Sequence, residues 1–328
     1  MQRLLVIVAL LALTLCASLN SQTIRREGAI ALPPGASVST QLLPKTVSIC
    51  RSGQRVAAIL SDKTVRVWDL PSGKVAKTLD MKPLARALEL SDDGRLLAVA
   101  EVSGAVSVWN LDSGQVQRKL LSALPISVLA ISPDNHLVAG AGRLDDQVWN
   151  LTTGERVATV RPAFGNSMAI SFSPDSTLLA TADADTAIRV YDARTGNLRS
   201  TASDLLLESL ALDFSRDGKS LFVGGADKTI SIVDPLTGKV RDTLPKQSGT
   251  LRRLVVSTDG EQIAAMYNLP DRFEEPSISV ALLWDIGKRS VRTRFDKPGV
   301  GILGGAYENG HFLLISHSGG EFTIWSVQ

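Results

Sequence analysis

The chain has 328 residues, a formal net charge of +2 at pH 7, a hydrophobic fraction of 44% and an aromatic fraction of 5%. That composition supports a large core built mainly from Val, Ile, Leu and Ala. The near-zero charge removes the electrostatic case for a nucleic-acid partner or an anionic membrane surface.

The first element in chain order is a leader. Met1-Gln2-Arg3 supplies one side-chain positive charge, residues 4–15 are apolar apart from Thr14, and Cys16-Ala17-Ser18 are small. Residues 1–18 are therefore expected to be a secretory signal peptide, cut after Ala17 or Ser18. The run is shorter than the roughly 20 residues a spanning helix needs, so no membrane span is expected. The predicted location is outside the cytoplasm, periplasmic or extracellular. A lipid anchor on Cys16 is the alternative, against which Leu15 is larger than that signal usually accepts. Without the leader Cys50 is the one remaining cysteine. No intramolecular disulfide is then possible, and Cys50 reads as a small buried apolar side chain.

Residues 19–45 form an N-terminal segment that lacks the pattern seen later. It contains an expected strand over residues 23–32, followed by a Pro33-Pro34-Gly35 turn.

From residue 46 to residue 328 the chain repeats itself in three phases. The key position of a V-W-D/N motif recurs at Trp68, Trp109, Trp149, Tyr191, Val233, Trp284 and Trp325, at intervals of 41, 40, 42, 42, 51 and 41. Polar turns form the second phase: Ser52-Gly53, Ser91-Asp92-Asp93-Gly94, Ser132-Pro133-Asp134-Asn135, Ser173-Pro174-Asp175-Ser176, Ser215-Arg216-Asp217-Gly218, Ser257-Thr258-Asp259-Gly260 and Glu308-Asn309-Gly310. These residue types set or tolerate turn dihedrals, so each reads as a hairpin turn. Gly73, Gly114, Gly154, Gly196, Gly238 and Gly287 mark a third phase just after the first. Between the turns lie segments of strand length. Thr64-Val65-Arg66-Val67-Trp68-Asp69 alternates, and Ala169-Ile170-Ser171-Phe172 is suited to a strand covered on both faces.

Four short strands per forty residues, repeated seven times, predict an all-β chain. Its expected form is a seven-bladed β-propeller of four-stranded antiparallel blades. The last repeat ends after its third strand, so the N-terminal strand is expected to complete that blade and close the ring. Closure in this way also protects exposed strand edges.

The V-W-D/N endings resemble those of the WD-repeat family over residues 46–328. That family also carries an Asp six residues before the Trp, which Asp62, Asp185 and Asp227 match here. Ser103, Arg143, Ile278 and Gly319 stand at that spacing in the other blades. The family's Gly-His dipeptide, whose imidazole ties the Asp into a polar network, is missing; His136, His311 and His317 are the only histidines. The chain is thus similar to a divergent member.

Most of the marked residues are expected to be structural. The tryptophans follow the blade period and should pack between blades, while Asp62, Asp185 and Asp227 should cap turns. Asp92-Asp93 and Asp183-Ala184-Asp185 offer too few oxygens for a calcium loop. The histidines lack zinc-ligand spacing. No nucleophile elbow or P-loop is present. No catalytic residue, metal or cofactor is therefore assigned.

The informative departure is an insertion in blade six, Asn268-Leu269-Pro270-Asp271-Arg272-Phe273-Glu274-Glu275-Pro276. Arg and aromatic residues are favoured at interface hot spots, and Pro lowers the ordering cost. Tyr267, Asp271, Arg272, Phe273, Glu274 and Arg143 are the candidate partner-binding residues. Leu144, Asp145, Asp146, Asp183 and Asp185 are expected on the same face, with Arg252 and Arg253 opening an inner strand. The expected function is a monomeric, non-catalytic protein-interaction scaffold with an unidentified protein partner. The alternatives are a lactonase- or quinoprotein-like propeller enzyme and a small-ligand sensor.

Overall fold

Repeats one to five each fold into one antiparallel sheet, because their short aliphatic strands are joined by tight turns. The computed structural model describes residues 24–38, 46–82, 84–162, 165–203, 205, 209–268, 279–296, 301–308, 310–318 and 320–327. The leader expected at 1–18 lies outside them, as does the blade-six insertion with Asp271, Arg272, Phe273 and Glu274.

The N-terminal strand is β1 (Ile24–Ala31). Blade one comprises β2 (Val47–Ile49), β3 (Arg55–Ile59), β4 (Thr64–Asp69) and β5 (Lys74–Asp80). Blade two comprises β6 (Ala85–Leu90), β7 (Leu96–Glu101), β8 (Ala105–Asn110) and β9 (Gln115–Leu121). Blade three comprises β10 (Val128–Ile131), β11 (Leu137–Ala141), β12 (Asp146–Asn150) and β13 (Arg156–Val160). Blade four comprises β14 (Ser167–Phe172), β15 (Leu178–Asp183), β16 (Ile188–Asp192) and β17 (Leu198–Ala202). Blade five comprises β18 (Ser209–Phe214), β19 (Leu221–Gly225), β20 (Ile230–Val233) and β21 (Val240–Leu244). Blade six comprises β22 (Thr250–Val256), β23 (Gln262–Asn268), β24 (Ser279–Asp285) and β25 (Ser290–Asp296). Blade seven takes β26 (Gly301–Glu308), β27 (His311–Ser318) and β28 (Glu321–Val327), and its fourth strand is β1. Seven such sheets form the ring, with no helix among the described residues.

Ring closure follows the expectation in detail. β1 runs antiparallel to β28, from Ile24 opposite Val327 to Ala31 opposite Glu321. The Pro33-Pro34-Gly35 segment then turns, with the Ala36 amide donating to the Pro33 carbonyl at 2.9 Å. At the seam Trp68 of blade one meets Phe322 of blade seven edge-on, centroids 5.5 Å apart. Ile30, Val38, Val56, Ile315 and Ile324 fill the same cluster.

The repeated tryptophans sit between blades. Trp149 joins a cluster with Leu96 and Val106 of the preceding blade, and Trp284 one with Phe222 and Leu244. Trp325 packs on Phe295 at 5.3 Å. Burying one such side chain is worth about 2–3 kcal/mol.

Each third strand meets its outer neighbour through a one-residue bulge at the Trp position. Val67 faces Lys77 but Trp68 faces Val75, and the slip recurs at Trp109, Trp149, Tyr191, Val233 and Trp284. β1 repeats it: Ile324 faces Gly28 and Trp325 faces Arg26, leaving Glu27 out of the ladder. A bulge re-aims a side chain. In blades four and five it turns Arg199 and Arg241 back onto Asp192 and Asp234, the acids that follow the Trp position. These outer-strand cations thus have partners within their own blade.

The Ser-x-Asp turns are hydrogen-bonded hooks. Ser91 Oγ lies 2.6 Å from Asp93 Oδ1 and accepts the Leu96 amide at 2.9 Å. Asp93 Oδ1 also accepts the Arg95 amide at 3.0 Å. Ser132, Ser173, Ser215 and Ser257 repeat the arrangement with Asp134, Asp175, Asp217 and Asp259. One oxygen of each carboxylate serves its own turn, and the second can reach the next blade, as Asp93 Oδ2 does in accepting from Asn135 Nδ2 at 2.9 Å.

In the third phase one assignment changes. Gly73, Gly114, Gly154, Gly196 and Gly238 stand four residues after the Asp or Asn that follows the Trp position, and all have positive φ. Gly287 stands only two residues after Asp285; the left-handed position in blade six belongs to Arg289, at φ 53°.

The caps on the turns between second and third strands also decide backbone strain. Asp62, Asp185 and Asp227 each accept the amide two residues on, at 3.0, 3.2 and 3.1 Å. The intervening Lys63, Thr186 and Lys228 have φ of 66, 70 and 69°. Where Ser103 replaces the acid, the left-handed residue is Gly104. Thr186 is β-branched, so its conformation is the most costly. Thr186→Gly is expected to stabilise the chain by about 0.5–1 kcal/mol, after the unfolded-state entropy of Gly is subtracted. Urea unfolding checks this; a lower midpoint would show that the Thr side chain outweighs the strain.

Candidate interaction face and central channel

Strand alternation gives the ring two faces. Turns between second and third strands share one face with the loops between blades, and the Ser-x-Asp hooks lie on the other.

On the first face the described residues separate into exposed and buried sets. Arg143 and Leu144 are exposed in the blade-three turn, Leu144 at 68%. Leu121, at 77%, ends the outer strand of blade two, and Leu84 and Val102 are exposed beside it. These turns are laced together. The Val102 amide donates to Leu84 O at 3.0 Å, and the Ser122 amide to Gly104 O at 3.2 Å. Gln147 Nε2 reaches Ser122 Oγ and Asp145 Oδ1, both at 3.2 Å.

Tyr267, expected at the interface, is instead a core residue at 1% exposure, packed with Trp284, Val280 and Leu251. Its position in β23 turns the ring inward toward blade five. Asp146 and Asp183, expected as surface charges, are fully buried. Ser167 lies between them, 2.6 Å from Asp146 Oδ2 and 2.7 Å from Asp183 Oδ1.

Two of the three turn acids have an arginine partner on their own third strand. Arg66 Nη2 pairs with Asp62 at 3.2 Å and Arg189 Nη2 with Asp185 at 2.6 Å, each from two residues before the Trp position. Hydrogen bonding to Arg189 holds the Asp185 carboxyl below the usual carboxylate range. A pair of cations spaced four residues after these acids was the signal in the sequence.

The inner strands line a channel with a cavity of about 190 Å³. Arg51 of blade one crosses it to Asp213 of blade five at 2.9 Å and also lies 3.6 Å from Asp92 of blade two. Asp213 Oδ2 accepts the Val256 amide of blade six at 3.1 Å. The Asp213 charge pushes the Arg51 guanidinium further toward its charged form, while burial raises the Asp92 carboxyl. Arg51 lies deep in the ring, yet its side chain keeps 29% of its surface open to the lumen, so the pair is wet rather than dry.

Arg253 makes a second tie. It passes over blade seven and donates to the Val47 carbonyl of blade one at 2.9 Å. Gly304 leaves room for it: a Cβ there would sit 3.0 Å from Arg253 Nη1. Arg252, its neighbour, is exposed. Arg51 and Arg253 thus tie blade one to blades five and six across the ring. Local sequence patterns missed Arg51 with Asp213, which are 162 residues apart.

The histidines are separated. His136 is exposed near Asp134, whereas His311 and His317 lie in β27, where burial lowers the His317 pKa. No group of three or more His, Cys, Asp or Glu among the described residues is placed to hold a metal ion. No helix among them is long and apolar enough to cross a membrane.

Comparison with known proteins agrees with the geometry. The family model "WD domain, G-beta repeat" matches residues 157–192 and 207–234. A chain in the solved structure titled "Crystal Structure of Mitotic Checkpoint Complex" superposes with a TM-score of 0.75, covering 93% of this chain and 96% of that one at 18% identity. At that identity the likeness is one of fold. No curated protein sequence matches the chain.

Proposed function

Because this chain is a WD-repeat β-propeller, a fold typical of protein-interaction scaffolds, we propose that it is a non-catalytic scaffold that binds a protein partner outside the cytoplasm. The observation that carries this reading is the exposed set Leu84, Val102, Leu121 and Leu144 on mutually bonded turns, beside Arg143. Apolar side chains gathered on one face mark contact surfaces more often than isolated ones do. The rigid turns lower the ordering cost of binding. The blade-six insertion, whose Arg272 and Phe273 lie outside the described residues, is the second contact element of this reading on the strength of its sequence. Location outside the cytoplasm rests on the leader pattern of residues 1–18, and the partner contact is made by the monomer.

The test compares the mature protein with L121E/L144E and R272A/F273A. Affinity capture from an extracytoplasmic fraction should retain one partner on the wild type. Each variant is expected to reduce that capture at least about tenfold, because hot-spot losses of about 1.4 kcal/mol or more are typical. Melting temperatures should stay unchanged, since the leucines are exposed. Equal capture by all three proteins would remove this face from the interface. A stoichiometric metal or chromophore in the purified protein would overturn the non-catalytic reading.

A further inference from the structure

The buried group at the seam of blades three and four contains one more acceptor than its hydroxyl can serve. Ser167 Oγ lies within hydrogen-bond distance of both Asp146 Oδ2 and Asp183 Oδ1, and all three residues are closed to solvent. A hydroxyl has one proton and donates to one acceptor. If both acids were ionised, one short oxygen–oxygen contact would carry no proton and two negative charges would face each other in a low-dielectric seam.

The surroundings say which acid carries the extra proton. Arg189 Nη1 lies 2.5 Å from Asp183 Oδ2, and the same guanidinium holds Asp185. Asp183 is therefore the ionised member. Asp146 has the weaker claim to a charge: its Oδ1 has no hydrogen-bond partner. The charged and titratable groups around the seam are Asp145 on its own turn, Asp183 and Asp185 from blade four, and Arg189 and Tyr191 on β16. Burial, reinforced by the charges of Asp183 and Asp145 and opposed by the Ser167 hydrogen bond and the Gly142 backbone amide, pushes the Asp146 carboxyl up to about 7.

We propose that Asp146 is held as a neutral acid that donates to Ser167, and that this single buried proton fastens blade three to blade four. Ser167 in turn donates to ionised Asp183, so the chain runs Asp146 to Ser167 to Asp183 to Arg189 with every proton used once. When Asp146 ionises, its proton leaves to solvent, Ser167 must choose between two carboxylates, and the seam loosens beneath the turn that carries Arg143 and Leu144. The folded chain keeps this proton to about pH 7, whereas an unfolded Asp releases it near pH 4. Between those values the folded state binds more protons. The contribution to stability is therefore complete at the acid end and is lost as pH rises through the window. This inference stands apart from the partner reading.

Urea unfolding of the mature protein, its Asp146→Asn variant and its Asp183→Asn variant between about pH 5 and pH 8.5 tests the joint. The wild-type unfolding constant should rise up to about tenfold per pH unit between pH 5 and pH 7, relative to Asp146→Asn. Asp183→Asn removes the repelling charge and lowers the folded pKa of Asp146, so its rise should level off at lower pH and be smaller. Carbon-13 carboxyl spectra of aspartate-labelled wild type give a direct readout: a signal that is missing from Asp146→Asn should titrate well above the usual carboxylate range, separately from that of buried Asp92. Parallel stability profiles for wild type and Asp146→Asn would overturn the proposal. So would a folded wild type in which the signal assigned to Asp146 titrates below about pH 5.

Discussion

Replacing Gly238 with Ala is expected to cost the fold at least about 3 kcal/mol. Gly238 closes the turn between β20 and β21, its amide donating to Asp234 O at 2.9 Å, at φ 71°. The left-handed backbone alone costs an L-residue roughly 1–2 kcal/mol. The rest comes from the neighbouring blade. A Cβ would run into the Thr201 carbonyl, 2.6 Å from Thr201 C and 3.2 Å from the Ala202 amide nitrogen. Those atoms belong to the backbone of β17, and no rotamer change moves them. The turn would have to lift off blade four, where Ser200 Oγ donates to Pro235 O at 2.6 Å. Forcing such a shift in a packed seam adds about 1–3 kcal/mol. Gly260 is the control: its φ is 75° and a Cβ there meets nothing within 4 Å. Gly260→Ala should show the backbone cost alone. Equal urea midpoints for the two variants would show that the blade four–five seam gives way freely.

The second large effect is expected at Asp213. Its removal leaves the Arg51 guanidinium inside the ring with Asp92, at 3.6 Å, and the more distant Glu89, and leaves the Val256 edge amide without its acceptor. Breaking a buried pair from one side costs about 3–5 kcal/mol. The opening of Arg51 to the lumen lowers that, so Asp213→Ala should cost about 2–3 kcal/mol. Arg51→Met removes the stranded charge, and the double variant should recover part of the loss. Additive losses in this cycle would mean that the cross-channel pair carries no coupling. Sodium chloride should weaken the wild type in part, because Arg51 opens to the lumen while Asp213 is buried.

What the sequence revealed was what the repeat itself encodes. Trp68, Trp149 and Trp284 announce their inter-blade packing by period, and Ser91 with Asp93 announces its hook by local spacing. The closing strand was legible because the last repeat ends one strand short. The failures share a cause. Gly287 was grouped with the turn glycines by nearness, while the left-handed position is fixed by its offset from Asp285, which falls on Arg289. Tyr267 was placed at the interface because it precedes an insertion, but its side chain points into the cluster around Trp284. Asp146 and Asp183 look like turn acids one at a time. Their burial depends on two blades meeting, as does the reach of Arg51 to Asp213. No window along one chain segment contains that information.

The bulge shared by all seven blades has a consequence for the order of assembly. β1 reproduces against β28 the slip that every native fourth strand makes against its third. It is thus shaped for a partner synthesised about three hundred residues later, and on the ribosome it emerges long before that partner. Blades one to six each have all four strands from a continuous stretch and can form as they appear. Blade seven is a clasp between the earliest and latest strands, so ring closure is the last step and the slowest to nucleate. Until it closes, the chain exposes the unpaired edge of β28, and the waiting time of β1 is set by how quickly the blades between them fold.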